Sequence, residues 1–289
     1  MMRKILPALL CAVLLLGSAA APAGPAPAGA EETAEPLRVT FVDVGKGDCI
    51  LLSRGGSYVM IDTGHAETAD KAVAAIRQAG AERLDALIIT HYDKDHTGGA
   101  DAILRSFPVD RIYLPGYEGD GKAYSTLSYR LWSMGLTAEK VTADTSFTFA
   151  GVQTEIFASP LAFVPGEGKE EGNDNDVSLV IAVRYGADSL LFPGDIEREG
   201  IAAFLAAGHG TFDVVKMPHH GQNEKNTDDF IAQTRMKIAV ITDGEEEPVK
   251  KKVIKLLQAA GAEIYTSAAD GDITVVCGGN GTYEVITER

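Results

Sequence analysis

Leu87-Ile88-Ile89-Thr90-His91-Tyr92-Asp93-Lys94-Asp95-His96-Thr97-Gly98-Gly99 is the most informative stretch of the chain. An apolar run, the signature of a buried strand, leads straight into two histidines and two aspartates, and a glycine pair then lets the backbone turn sharply into a helix. A strand end is a rigid place from which to launch ligands, and alternation along extended chain makes positions 91, 93 and 95 project differently from 96. Such a cluster can feed two metal ions. Imidazole and carboxylate together suit zinc, with manganese or iron as alternatives, rather than a thiolate-selected metal.

Two later segments repeat the plan of strand, ligand and glycine. In Ser189-Leu-Leu-Phe-Pro193-Gly194-Asp195-Ile196-Glu197 a carboxylate follows an apolar run. In Asp213-Val-Val-Lys-Met-Pro218-His219-His220-Gly221 a histidine pair does so. Neighbouring residues on extended chain point oppositely, so the pair is not expected to chelate one ion together. The sequence leaves open which of the two is the ligand, and His219 is preferred. Asp62 ends the apolar run Tyr58-Val-Met-Ile and precedes Thr63-Gly64, where it can hydrogen-bond the ligands and hold them in orientation. His65 is read as a surface residue.

The 91–96 segment resembles the His-x-His-x-Asp-His signature of the metallo-β-lactamase superfamily, with Asp93 where the second His usually stands. That departure is similar to the branch containing the hydrolase domain of the competence protein ComEC and the phosphorylcholine esterases. Phe41-Val-Asp43-Val-Gly45-Lys-Gly47-Asp48-Cys-Ile resembles the opening strand and turn of that branch, and the resemblance extends over 37–286. It implies an α/β fold, an αββα sandwich of two mixed sheets with helices outside. It also implies two divalent ions held by His91, Asp93, Asp95, His96, Asp195 and the His219/His220 pair, with Asp195 bridging. Asp95, His219 and His220 are the implied catalytic residues. A further histidine that the superfamily supplies between Asp95 and Asp195 is absent, since no His occurs from 97 to 194. Asn173-Asp174-Asn175-Asp176 occupies that place, and Asn175 or Ser178 is either a lining residue or part of a polar turn. The ion beside His91 and Asp93 is therefore expected to be the more weakly held.

Periodicity along the rest of the chain alternates between strand-like and helix-like, as a layered α/β domain requires. Helices are expected near 68–79, 101–106, 123–134, 198–207, 227–233 and 248–260, with Pro248 in the first turn of the last and Gly261 at its end. The chain opens with Arg3-Lys4, an apolar run from Ile5 to Leu16 and small residues, which is the pattern of a secretory signal peptide over 1–21. The run is short of the roughly 20 residues that span a bilayer, and no other stretch forms a membrane span. Cys11 leaves with this leader. Residues 22–36, rich in Pro, Ala, Gly and Glu, read as a linker, and a hydrolase domain follows over 37–289. The expected location is secreted or extracytoplasmic. Cys49 and Cys277 lie in strand-like runs and read as buried thiols rather than a bridge.

The formal net charge of −15 grows more negative once Arg3 and Lys4 are lost. So acidic a surface disfavours DNA as a partner without a local basic patch or bound cations. The leading expectation is hydrolysis of a phosphoester or phosphodiester, on a small molecule or a polymer, by a metal-activated water. The alternative is a non-catalytic, metal-stabilised domain that binds an envelope polymer or partner.

Overall fold

Period-two burial sets the layers. In β1 (Leu37–Phe41) Leu37, Val39 and Phe41 are buried while Arg38 is exposed, so one face packs inward. The computed structural model describes residues 35–166 and 172–289. After β1 come β2 (Ile50–Arg54), β3 (Ser57–Ile61), α1 (Ala69–Gln78), β4 (Ala86–Ile88), α2 (Lys94–Thr97) and α3 (Ala100–Ser106). Then follow β5 (Ile112–Pro115), α4 (Lys122–Met134), β6 (Glu139–Val141), β7 (Thr145–Phe149), β8 (Val152–Phe157), β9 (Val180–Tyr185) and β10 (Asp188–Phe192). The remainder is α5 (Arg198–Ala207), β11 (Val214–Lys216), α6 (Thr227–Thr234), β12 (Ile238–Ile241), α7 (Lys251–Ala260), β13 (Glu263–Thr266), α8 (Ser267–Asp270), β14 (Ile273–Cys277) and β15 (Tyr283–Thr287).

These strands make two mixed sheets, ordered β15-β14-β1-β2-β3-β4-β5-β6 and β13-β12-β11-β10-β9-β8-β7. In the first, β3 to β6 run parallel and the other pairs antiparallel. In the second, β10 to β13 run parallel and β7 to β10 antiparallel. Alternation divides each strand between two cores. Ile88, Leu190, Phe192 and Val240 pack between the sheets, where the rings of Phe41 and Phe192 are 6.0 Å apart. Leu87 and Ile89 face outward onto Ile76, Ile103 and Leu127 of the helices. Leu191 and Ile241 face outward onto Phe204, Phe230 and Leu257. The result is the expected sandwich with helices outside.

The expected helices are all present, and α4 stops at Gly135, which takes the left-handed conformation (φ 65°) that residues with a Cβ resist. One expectation is corrected: α7 begins at Lys251, so Pro248 lies before the helix, where its fixed φ shapes the approach rather than the first turn. The strands β6 and β7 were not expected. The signal peptide expected over 1–21 and all of the expected linker but Glu35 and Pro36 lie outside the described residues. Among the described residues no helix is long and apolar enough to cross a membrane. Cys49 and Cys277 are buried and unbridged.

Candidate metal centre

The carboxyl ends of β3, β4, β10, β11 and β12 lie at one edge of the two sheets, and each delivers a polar side chain there: Asp62, His91, Asp195, His220 and Thr242. His96 arrives on the short helix α2, and Asp48 on the turn between β1 and β2. Gly194 is needed for Asp195 to enter, because its φ is 61° and a Cβ there would stand 2.9 Å from Ser178 Cβ.

Hydrogen bonds fix which nitrogen each histidine presents. His96 Nδ1 donates to Asp62 Oδ2 at 2.7 Å. Thr90 Oγ1 gives its proton to Asp62 Oδ2 (2.6 Å), so it accepts from His91 Nδ1 at 3.0 Å. A matching relay stands opposite, where Thr242 Oγ1 donates to Asp48 Oδ1 (2.6 Å) and accepts from His220 Nδ1 (3.0 Å). Each ring therefore turns Nε2 inward. This is the outer support that keeps metal-ligating imidazoles in one tautomer and orientation.

The inward atoms converge. Asp195 Oδ2 lies 2.9 Å from His220 Nε2 and 3.2 Å from His96 Nε2. The two Nε2 atoms are 3.3 Å apart, and Asp95 Oδ2 is 3.6 Å from His220 Nε2. Burial alone would lower the His96 pKa, but the carboxylates of Asp195, Asp62 and Asp48 outweigh it and hold the ring well above its usual value. Burial would likewise raise Asp195, yet His220, His96 and Lys216 hold it well below the usual carboxylate range. Burial and then the neighbouring His96 hold His91 well below the ordinary imidazole value, so its ring is neutral.

These residues fit a divalent ion. Asp95, His96, Asp195 and His220 form a group whose ligand atoms all lie within 4.8 Å of one another. Four donors in a tetrahedron around zinc, at its usual bond lengths, stand about 3.3 Å apart, close to the separations found here. With both Nδ1 atoms donating, the Nε2 lone pairs of His96 and His220 face each other and a carboxylate oxygen, which only a proton or a metal ion between them reconciles. His91 Nε2 is also buried with no hydrogen-bond partner, and its ring lies 4.1 Å from that of His96.

Two of the expected ligands are placed otherwise. His219 is the preferred ligand from sequence, but the ring placed beside Asp195 and His96 is that of His220, while His219 lies with Glu197 and Glu224. Strained backbone at both (φ 44° and 51°) turns the rings apart, and His219 Nδ1 faces Glu197 Oε1 (3.2 Å) and Glu224 Oε1 (3.3 Å) instead. Asp93 stands off, its nearer oxygen 3.9 Å from His91 Nε2 and its side chain 46% exposed. Burial and then Asp174 beside it push its carboxyl up to about 7. Among the described residues neither His91 nor Asp93 belongs to a closely spaced group of three ligand atoms. Asn175 does not reach the cluster and donates to Glu197 Oε1 at 2.9 Å, while Ser178 Oγ accepts from the Asp195 amide at 3.4 Å. His65, expected at the surface, is half-buried against the Lys46 carbonyl at 2.7 Å.

Sequence reading gave no role to Asp48, Lys216, Thr90 or Thr242. The signal for Lys216 was a charge inside the apolar run of β11. Its Nζ is fully buried and spends all three protons, on Asp48 Oδ2 (2.7 Å), Asp195 Oδ1 (2.9 Å) and the Gly194 carbonyl (3.0 Å).

A family model described as the metallo-beta-lactamase superfamily matches residues 42–242, from the end of β1 to the end of β12. The chain belongs to this superfamily. Among curated relatives it is 28% identical over 245 residues to "Recombination protein 2" of Haemophilus influenzae, covering 82% of this chain and 28% of that protein. It is also 28% identical over 260 residues to "ComE operon protein 3" of Bacillus subtilis, covering 81% of this chain and 32% of that one. "Competence protein ComA" of Neisseria gonorrhoeae is 27% identical, over 71% of this chain and 27% of its own. The chain thus spans about a third or less of the length of these relatives. The metallo-beta-lactamase fold protein YhfI of Bacillus subtilis superposes with a TM-score of 0.53 at 12% identity, over 83% of this chain and 99% of that chain. That likeness concerns the superfamily fold alone.

Proposed function

We propose that this chain is a metal-dependent hydrolase of phosphoesters or phosphodiesters, working at the centre formed by Asp95, His96, Asp195 and His220. The observation that carries the reading is the convergence of the His96 and His220 Nε2 atoms on Asp195 Oδ2, at 3.2 and 2.9 Å. A divalent ion bound there would acidify a water toward neutral pH and stabilise developing negative charge. Zinc suits the donor set, with manganese and iron as alternatives, and His91 with Asp93 offers a second, poorer position.

The chain's own groups supply the rest. Asp62 and Asp48, directly and through Thr90 and Thr242, keep the three imidazoles oriented. His219, its Nδ1 3.2 Å from Glu197 Oε1 and 3.3 Å from Glu224 Oε1, would be the group that passes a proton to a departing oxygen. Asp93 in place of a histidine, and the missing central histidine, weigh against β-lactam turnover. Relatives named for competence and recombination make a DNA phosphodiester one substrate to test, although a net charge of −15 disfavours long duplex. A signal peptide over 1–21 would place this activity outside the cytoplasm.

The test is a screen of purified protein on bis-p-nitrophenyl phosphate, choline phosphoesters and single- and double-stranded DNA. Cleavage that chelation and Asp95→Ala both abolish is expected. Stoichiometric metal with no cleavage of any of them would instead favour a non-catalytic binding domain.

A further inference from the structure

Among the described residues Lys216 is the one fully buried lysine or arginine. It occupies an inward-facing position of β11, on the same face as Val214 of the inter-sheet core, where an apolar residue would cost nothing in desolvation. An ammonium is tolerated there because two carboxylates and a carbonyl take all its protons. One of those carboxylates is Asp195, whose two oxygens are thereby divided: Oδ1 serves Lys216 and Oδ2 alone faces His96 and His220.

We propose that Lys216 is a built-in cation that takes the share of Asp195 a second metal ion would otherwise take. The centre then holds one divalent ion tightly, on Asp95, His96, Asp195 and His220, and a second only weakly, beside His91 and Asp93. Two independent features agree. The His91 side lacks a third close ligand among the described residues, and no histidine between 97 and 194 is available to provide one. The fixed positive charge of Lys216 also repels any further cation drawn to Asp195, through a low-dielectric interior where screening is weak. Lys216 is thus a positioning residue. It sets how many ions the site takes and how tightly, and it ties the metal ligand Asp195 to Asp48, which also supports His220 through Thr242.

This inference rests on the reading that the centre binds divalent cations. The experiment is equilibrium dialysis of the full chain against Mn²⁺, with metal counted per chain, for wild type, Lys216→Met, Lys216→Arg and Asp48→Asn, and circular dichroism as a check on folding. Wild type should bind one ion tightly and a second at least about tenfold more weakly. Lys216→Met, which keeps the length and removes the charge, should strengthen the second site about tenfold, and Lys216→Arg should match wild type. Asp48→Asn leaves the ammonium less neutralised and should weaken the tight site, a prediction available even if Lys216→Met does not fold. Two equal sites in wild type, or a folded Lys216→Met whose affinities are unchanged or weaker, would overturn the proposal. No binding of Mn²⁺ by wild type would instead overturn the metal reading itself.

Discussion

His96 and His220, 124 residues apart in sequence, bring their Nε2 atoms within 3.3 Å of each other, although both rings have committed Nδ1 to carboxylate-backed partners. Two imidazole lone pairs do not approach across a buried gap without something positive between them. That pairing unites the two sheets in one centre, since His96 follows a strand of the first and His220 a strand of the second.

The two threonine relays should matter as much as some ligands do. Thr242→Val keeps the shape of the side chain but removes both the acceptor for His220 Nδ1 and the donor to Asp48. Metal affinity should fall roughly ten- to a hundredfold, in the range typical of lost outer partners. Titration with a fluorescent zinc competitor measures it, and unchanged affinity would mean that the relay does not orient the ring.

Protons and metal should compete. Carboxylates hold His96 and His220 above the ordinary imidazole value against the pull of burial, so these rings carry protons when no ion is bound. Binding must expel those protons, and affinity should therefore rise with pH. Calorimetry in buffers of different ionisation enthalpy should show net proton release. Proton uptake would contradict the assignment.

A pH effect on stability is expected far from the centre. His209 stacks on Phe157 with ring centroids 4.0 Å apart, and burial lowers its pKa despite Asp144 and Glu155 nearby. The unfolded chain thus binds this proton more readily than the folded one. Stability from the neutral ring is present above the unfolded value of about 6.5 and is lost as pH falls from there through the folded value. His209→Gln should flatten that part of the profile of Tm against pH. A slope identical to wild type would rule this group out.

The two thiols should be inert in the folded protein. Burial pushes the Cys277 thiol up to about 12, with Asp188 adding to it, and burial raises Cys49 as well. Neither should be alkylated by iodoacetamide at pH 8 until denaturant is added, as read by peptide mass spectrometry. Rapid native labelling of Cys277 would show that the β1–β14 pairing opens.

Much of the architecture was legible because burial follows simple periods. Leu87-Ile-Ile-Thr90 reads as a buried strand, and Gly135 and Gly261 read as helix ends, where both take the left-handed conformation. Thr145–Phe149 carried a period-two pattern, Phe147 and Phe149 inward, that five residues beside a turn made easy to pass over. The polar support was not legible. Lys216 and Asp48 mean little apart, and their pairing at 2.7 Å exists only once the two sheets meet. The choice between His219 and His220 turned on two residues with positive φ, and nothing in Pro-His-His-Gly announces which ring the strained turn directs inward.

The most direct test counts metal in purified His219→Ala and His220→Ala beside wild type, by inductively coupled plasma mass spectrometry after exhaustive dialysis. At least one tightly held divalent ion per chain is expected in wild type and in His219→Ala, with loss in His220→Ala. Retention in His220→Ala together with loss in His219→Ala would contradict the centre described here.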